Sequence, residues 1–301
     1  MSVSGDKIEG CLPALITPFS PDGSVNVDMV RKLVRYEIEQ GCHGFFPCGT
    51  TGEGLLLTFE ERKLIIRTVV EEVAGQVPVI AHVGAMSTDM AVELAKEAEK
   101  AGAAAVSSVP PIYYQVGLEG MIRHITAIVQ ATNLPTYYYH IPMLTNINLT
   151  GDQIAEGFGG VKGLVGLKFS HSDLFLMWWI IEASGGRLRV FNGNDQMLFQ
   201  ALSTGAVGGV GSTYNYQMAN IAAVYNAVKA GDLTKAQKLQ WKVNKVIQVL
   251  FRHGPSLAVE KAIMKLLGYD CGPTRGPLVP FPEERVPVLR KDLEEIGFLD
   301  K

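Results

Sequence analysis

The chain is predicted to fold as a (β/α)8 barrel, the TIM barrel of the α/β class, with a C-terminal helical extension. Three observations lead there. Short β-rich runs alternate with amphipathic helical stretches eight times along the chain. Most of those runs are apolar on both faces, as parallel strands covered by helices must be. Six of the eight also end in residues that donate or accept hydrogen bonds, at the end of the barrel where active sites gather.

In order, the strand candidates are LPALITPF (12–19), GFFPCG (44–49), VPVIAHVG (77–84) and AAAVSSVP (103–110). LPTYYYHI (134–141), GLVGLKFS (163–170), RLRVFNG (187–193) and AVGGVGS (206–212) follow. Between them, FEERKLIIRTVVEEVAG (59–75) places Leu64, Ile65, Val69 and Val73 on one helical face and stops at glycine. STDMAVELAKEAEKAG (87–102) opens on the N-cap residue Ser87 and closes at Gly102. The first strand runs into TPFSPDG, an ordinary turn, where a doubly wound nucleotide-binding sheet would carry its glycine-rich loop. After the eighth unit three helices follow with no strand between them. Residues 1–232 thus read as the barrel and 233–301 as helices packed on it within the same domain.

The 301 residues are 47% apolar and 19% charged, enough for a large core, with a net charge of −3. No basic run marks a nucleic acid or an anionic membrane as partner. The densest apolar run, 174–181, is far short of the ~20 residues that span a bilayer, and no secretory signal opens the chain. Cys11, Cys42, Cys48 and Cys271 lack CxxC spacing and read as free thiols. A soluble, cytoplasmic protein is expected.

Lys168 is the residue that asks for chemistry. Alternation in the sixth strand puts it on the face of Gly166 and Ser170, opposite Val165, Leu167 and Phe169. Gly166 would leave room inside the barrel for the amine, and removal from water favours the uncharged, nucleophilic form that attacks a ketone. The alternative is a lysine reaching out past the strand end to water.

Two further elements surround it. GTTGE (49–53) offers the hydroxyls of Thr50 and Thr51 between glycines, a nest for a small anion such as a carboxylate, or simply a turn capping the next helix. In TYYYHIP, Tyr137 and Tyr139 share the inner face while Tyr138 and His140 face the helices. A phenol there can shuttle a proton, and Tyr113 and Tyr114 add a second aromatic pair. The six histidines show no ligand spacing, so no metal is expected; His82 reads as a core residue, Trp178 and Trp179 as helix packing.

GTTGEG, AHVGAMS, YYYHIP, GLKFS, NGND and GSTYNY, in this order, resemble the pyruvate-dependent class I aldolase family that includes dihydrodipicolinate synthase and N-acetylneuraminate lyase. The likeness runs from about Leu12 into the C-terminal helices, and YYYHIP, GLKFS with the following SDL, and GSTYNY lean toward the second of these.

The resemblance implies an imine between Lys168 and the C2 ketone of pyruvate or a sialic acid, with no metal or other cofactor. Thr50 and Thr51 would hold the carboxylate, and Tyr139 would take the C4 hydroxyl proton as C3–C4 breaks. Tyr113, from a neighbouring subunit, would complete a relay with Thr51 and Tyr139. Ser170, Gly193, Asp195, Gln196 and Ser212 fall where the family contacts the sugar chain, and a homotetramer is implied.

Two positions bear on the substrate. Where dihydrodipicolinate synthases carry an arginine for a second carboxylate, this chain has Leu144, and losing that contact costs about 2 kcal/mol. Where sialic acid lyases carry a glutamate, it has Gln196, which keeps an acceptor but not the charge. Cleavage of N-acetylneuraminate is the first expectation. Another 2-keto-3-deoxy sugar acid, dihydrodipicolinate synthase activity, or a keto-acid-binding barrel without catalysis are the alternatives.

Overall fold

A computed structural model describes residues 8–254 and 257–299. Seven parallel strands form one sheet: β1 (Gly10–Pro13), β2 (Ile80–His82), β3 (Ala105–Ser108), β4 (Thr136–His140), β5 (Leu164–Phe169), β6 (Arg189–Asn192) and β7 (Gly208–Gly211). Their order is β1-β7-β6-β5-β4-β3-β2. The second expected strand, GFFPCG, is not a regular strand. It is reduced to Phe45 and Phe46, which bridge β1 and β2 and close the ring, so the fold is the (β/α)8 barrel the sequence predicts. Four backbone hydrogen bonds make that closure: Phe46 N–H to Pro13 O, Leu15 N–H to Phe46 O, Phe45 N–H to Pro78 O and Ile80 N–H to Phe45 O, at 2.9–3.1 Å. One further bond, His82 N–H to Pro47 O at 3.1 Å, follows on the β2 side; Pro47 has no N–H to give in return, and Cys48 then turns left-handed, with φ +60°.

Side chains sort by strand alternation into two cores. Leu12, Phe46, Ile80, Tyr137, Tyr139, Phe191 and Val210 fill the barrel. Tyr138, Leu167, Phe169 and Val190 pack outward with the helices, Tyr138 stacking on Phe158 at 4.8 Å. Helix α1 (Val27–Glu39) is followed by α2 (Phe59–Val73), whose Thr58 and Glu61 form a reciprocal capping box. The buried face of α2 is Ile65, Ile66, Val69 and Val73. Leu64, expected among them, is exposed, because the stripe runs through Ile66 instead. Helix α3 (Thr88–Ala101) is capped by Ser87 and ends on left-handed Gly102, as its sequence predicts.

Around the ring follow α4 (Gly117–Ala131), α5 (Pro142–Thr145), α6 (Gly151–Gly157), α7 (Leu174–Ala183), α8 (Leu198–Ser203) and α9 (Tyr214–Lys229). Trp179 packs α7 against α6 as expected, its ring over Gly151 and its Nε1–H donating to Asp152, whereas Trp178 is exposed and stacks on the exposed Phe175 of the same helix. Beyond the barrel, α10 (Leu233–Arg252) lies along α9, and α11 (Leu257–Leu266) and α12 (Val286–Glu295) complete the extension. All four cysteines are buried free thiols. Among the described residues no helix is long and apolar enough to cross a membrane.

Candidate active site at the C-terminal ends of the strands

The β4–β5 register sets Tyr139 directly beside Lys168. Lys168 is 4% exposed, so it does not reach out to solvent. Its Nζ stands 4.3 Å from the Tyr139 ring centre and 4.6 Å from that of Phe46. Two electron-rich faces therefore cover the amine, Tyr139 from the neighbouring β4 and Phe46 from the short segment that closes the ring. Gly166 does not provide the empty space expected of it: a Cβ there would fall 2.0 Å from Arg189 O and 2.9 Å from the Tyr137 ring. The barrel floor is filled, and the amine is held at its mouth.

Tyr139 hydroxyl lies 3.5 Å from Thr50 Oγ1, and Thr51 follows, buried. The turn that presents these threonines is tightly wound. Glu53 adopts a left-handed conformation (φ +54°), and a Cβ on Gly54 would sit 1.8 Å from Cys48 O. His82 closes the aromatic wall, edge-on to Tyr139 at 5.9 Å. Its Nδ1 meets Cys48 O at 2.9 Å and its Nε2 accepts from Val109 N–H at 3.3 Å, a pattern only the neutral imidazole can make. Burial, then the charges of Arg62 and Lys168, hold its pKa well below the usual histidine value.

On the far side, Gly193 is what admits Ser170, since a Cβ there would land 2.0 Å from Ser170 Oγ. Asp195 Oδ2 accepts the Thr213 N–H at 2.8 Å, while Oδ1 is buried without a hydrogen-bond partner among the described residues. Burial raises the Asp195 carboxyl above its ordinary range, against the pull of Thr213 and the Lys168 charge. Ser212 Oγ donates to Glu260 at 2.7 Å. Gln196 is half-buried, its backbone carbonyl tied to Asn244 of α10 at 3.2 Å.

Tyr113 stands apart. It is 78% exposed on the loop after β3, edge-on to Tyr114, and the single chain does not bring it to Lys168. A cavity of about 380 Å³ opens beside Thr50, walled by Leu55, His82, Val109, Ile141 and Leu144. Among the described residues no group of three or more His, Cys, Asp or Glu is arranged to hold a metal ion.

Residues 7–296 match the sequence model of the dihydrodipicolinate synthetase family. The chain belongs to that family. It is 36% identical over 284 residues to the N-acetylneuraminate lyase of Salmonella agona, covering 94% of this chain and 95% of that protein. A Ruminococcus gnavus sialic acid aldolase, solved as a catalytic lysine mutant, superposes with a TM-score of 0.92 at 27% identity, covering 100% of this chain and 99% of that one. YagE, a prophage protein of E. coli K12 solved with pyruvate, reaches a TM-score of 0.92 at 25% identity over 97% of this chain and 99% of its own. Like its relatives, this family member is a carbon–carbon lyase, a pyruvate aldolase of the dihydrodipicolinate synthase and N-acetylneuraminate lyase type.

The sequence reading missed Phe46 beneath the amine, and Glu260 and Lys261 behind the turns. Phe46 was hidden because its strand is too short to show alternation. Glu260 and Lys261 left only a weak signal, adjacent charges inside the apolar run LAVEKAIM, whose burial the pattern alone does not decide.

Proposed function

We propose that this enzyme cleaves N-acetylneuraminate reversibly to N-acetylmannosamine and pyruvate through an imine on Lys168. The observation that carries the reading is the amine enclosed by Phe46 and Tyr139, with the Tyr139 hydroxyl next to Thr50. Lys168 attacks the C2 ketone and water leaves. Tyr139 takes the C4 hydroxyl proton, the C3–C4 bond breaks, and its electrons flow into the iminium. The aldehyde departs as N-acetylmannosamine. Protonation at C3 and hydrolysis then release pyruvate and free the lysine. Because the iminium is the electron sink, the proposed chemistry needs no metal.

Thr50 and Thr51 hold the carboxylate in this scheme, and Ser170, Gly193, Asp195, Gln196 and Ser212 hold the sugar chain. Tyr113 of a second subunit completes the proton relay, which fits its position far out on the surface of its own chain. The working form is then a cytoplasmic homotetramer. Incubation with pyruvate and borohydride should add the mass of a reduced pyruvate adduct to the peptide bearing Lys168; an unmodified peptide would remove the imine.

Gln196 favours a second reading, a related lyase for another 2-keto-3-deoxy sugar acid. A neutral amide accepts a hydroxyl less strongly than a carboxylate does. Comparing turnover of N-acetylneuraminate with that of 2-keto-3-deoxygluconate decides between them.

A further inference from the structure

Behind the tip of β7, buried polar atoms outnumber their partners. Ser212 donates to Glu260 Oε1 at 2.7 Å, while Glu260 Oε2, Asp195 Oδ1, the Tyr216 hydroxyl and the Gln217 side-chain oxygen lack hydrogen-bond partners among the described residues. Glu260 belongs to α11 in the C-terminal extension, not to the barrel. The ion pair that anchors this helix is made by the next residue, Lys261 with Glu53, and leaves Glu260 free for another task.

We propose that Glu260 is a positioning residue for the lyase reaction, holding the Ser212 hydroxyl so that it accepts hydrogen bonds from the hydroxylated chain of the substrate. The proposal rests on the reading of the site given above. It follows from donor arithmetic. A serine hydroxyl has one hydrogen; with the acid proton of neutral Glu260 on the otherwise unpartnered Oε2, Oε1 accepts that hydrogen and only lone pairs of Ser212 remain for a substrate. Beside it, Asp195 when ionised also offers acceptors alone. This subsite therefore selects donor hydroxyls, and a keto or ether oxygen in their place would meet a second acceptor.

Burial pushes the Glu260 carboxyl up to about 8, opposed by the Ser212 bond and reinforced by Asp195. Below that pH the group is neutral. Above it, a second negative charge stands beside Asp195 in a site that must take an anionic sugar acid. The ionisable groups that act there are Asp195 after β6 and the Tyr216 phenol of α9, both raised by burial, with Lys168 acting on Asp195. Lys261, adjacent on α11, is engaged by Glu53.

The test measures kcat and KM for N-acetylneuraminate between about pH 6 and 9.5. It uses the full-length enzyme, Glu260→Gln and Glu260→Leu, with borohydride trapping of pyruvate at Lys168 run alongside. The native KM should climb above about pH 8. Glu260→Gln still accepts the Ser212 hydrogen but cannot ionise, so its KM should stay level there. Glu260→Leu should raise KM at neutral pH roughly tenfold, with trapping of pyruvate nearly unaffected. Parallel native and Gln profiles, or a native KM in the Leu variant, would overturn the proposal. A Leu variant that fails to fold leaves the Gln profile to decide. Trapped Lys168 with unmoved profiles sinks the role of Glu260 alone, whereas no trapping even in the native enzyme sinks the imine and this proposal with it.

Discussion

The Lys261 ammonium lies 2.7 Å from the Glu53 carboxylate, and both side chains are almost wholly buried. One residue belongs to α11, the other to the turn that carries Thr50 and Thr51. Arg275 reinforces the joint: its N–H donates to Glu53 at 2.7 Å, and its guanidinium grips both oxygens of Glu61 at 2.6 and 2.7 Å. The Phe19 ring is flanked by the Lys261 ammonium at 4.4 Å and the Arg275 guanidinium at 4.3 Å. The C-terminal extension thus clamps the left-handed backbone of the turn that faces the reactive amine.

Breaking that pair from one side should be costly. Lys261→Met leaves the Glu53 carboxylate buried without its cation and is expected to destabilise the protein by about 3–5 kcal/mol. Urea unfolding measures this. Lys261→Met combined with Glu53→Gln should recover part of the loss, because no lone charge then remains inside.

Tyr139→Phe separates the amine from the phenol. The ring that covers Lys168 stays, so trapping of pyruvate by borohydride should persist. Turnover should fall by about 10²- to 10⁴-fold, the range for losing a positioned proton carrier. Steady-state kinetics beside the trapping assay reads both. Loss of both in proportion would mean that the phenol acts only by packing.

Gly54→Ala tests the turn itself. A methyl 1.8 Å from the Cys48 carbonyl cannot be accommodated without moving backbone, and a cost of about 1–3 kcal/mol is expected. Gly160→Ala, where a Cβ meets nothing within 4 Å, should stay within about 0.5 kcal/mol of the native protein. Thermal melts of the two variants make the comparison.

Acid should weaken the fold through two histidines. Burial lowers both His124 and His140 from 6.5 to about 4, with His171 adding to the second. Their unfolded forms bind protons first as pH falls, so their contribution is whole above about pH 6.5 and is lost on the way down to about 4. His124 bonds Thr88 and Ser108, whereas both ring nitrogens of His140 lack hydrogen-bond partners among the described residues. His140→Phe should therefore flatten the acid limb of a stability–pH curve and raise stability at neutral pH, by about 1–3 kcal/mol for removing unpaired buried groups.

The sequence spoke clearly wherever a local period decides the outcome. Alternation in GLVGLKFS placed Lys168 inward, and the same rule parted Tyr137 and Tyr139 from Tyr138. It failed where tertiary contacts decide. The strand around Phe46 is too short for any period to register, and the room expected over Gly166 is taken by a neighbouring strand and the Tyr137 ring. Glu260 lies in a helix that by pattern could expose it, and only the docking of that helix on the barrel buries it. Leu64 and Ile66 traded places because one step along a helix is a turn of 100°, within the width of an apolar stripe.

The barrel is stitched shut at Phe45–Phe46 by a single bridge on each side, and the Phe46 ring also covers the amine. Any fluctuation that unzips this join exposes Lys168 to water and slackens the threonine turn in the same movement. Opening of the ring there and loss of an enclosed nucleophile would be one event.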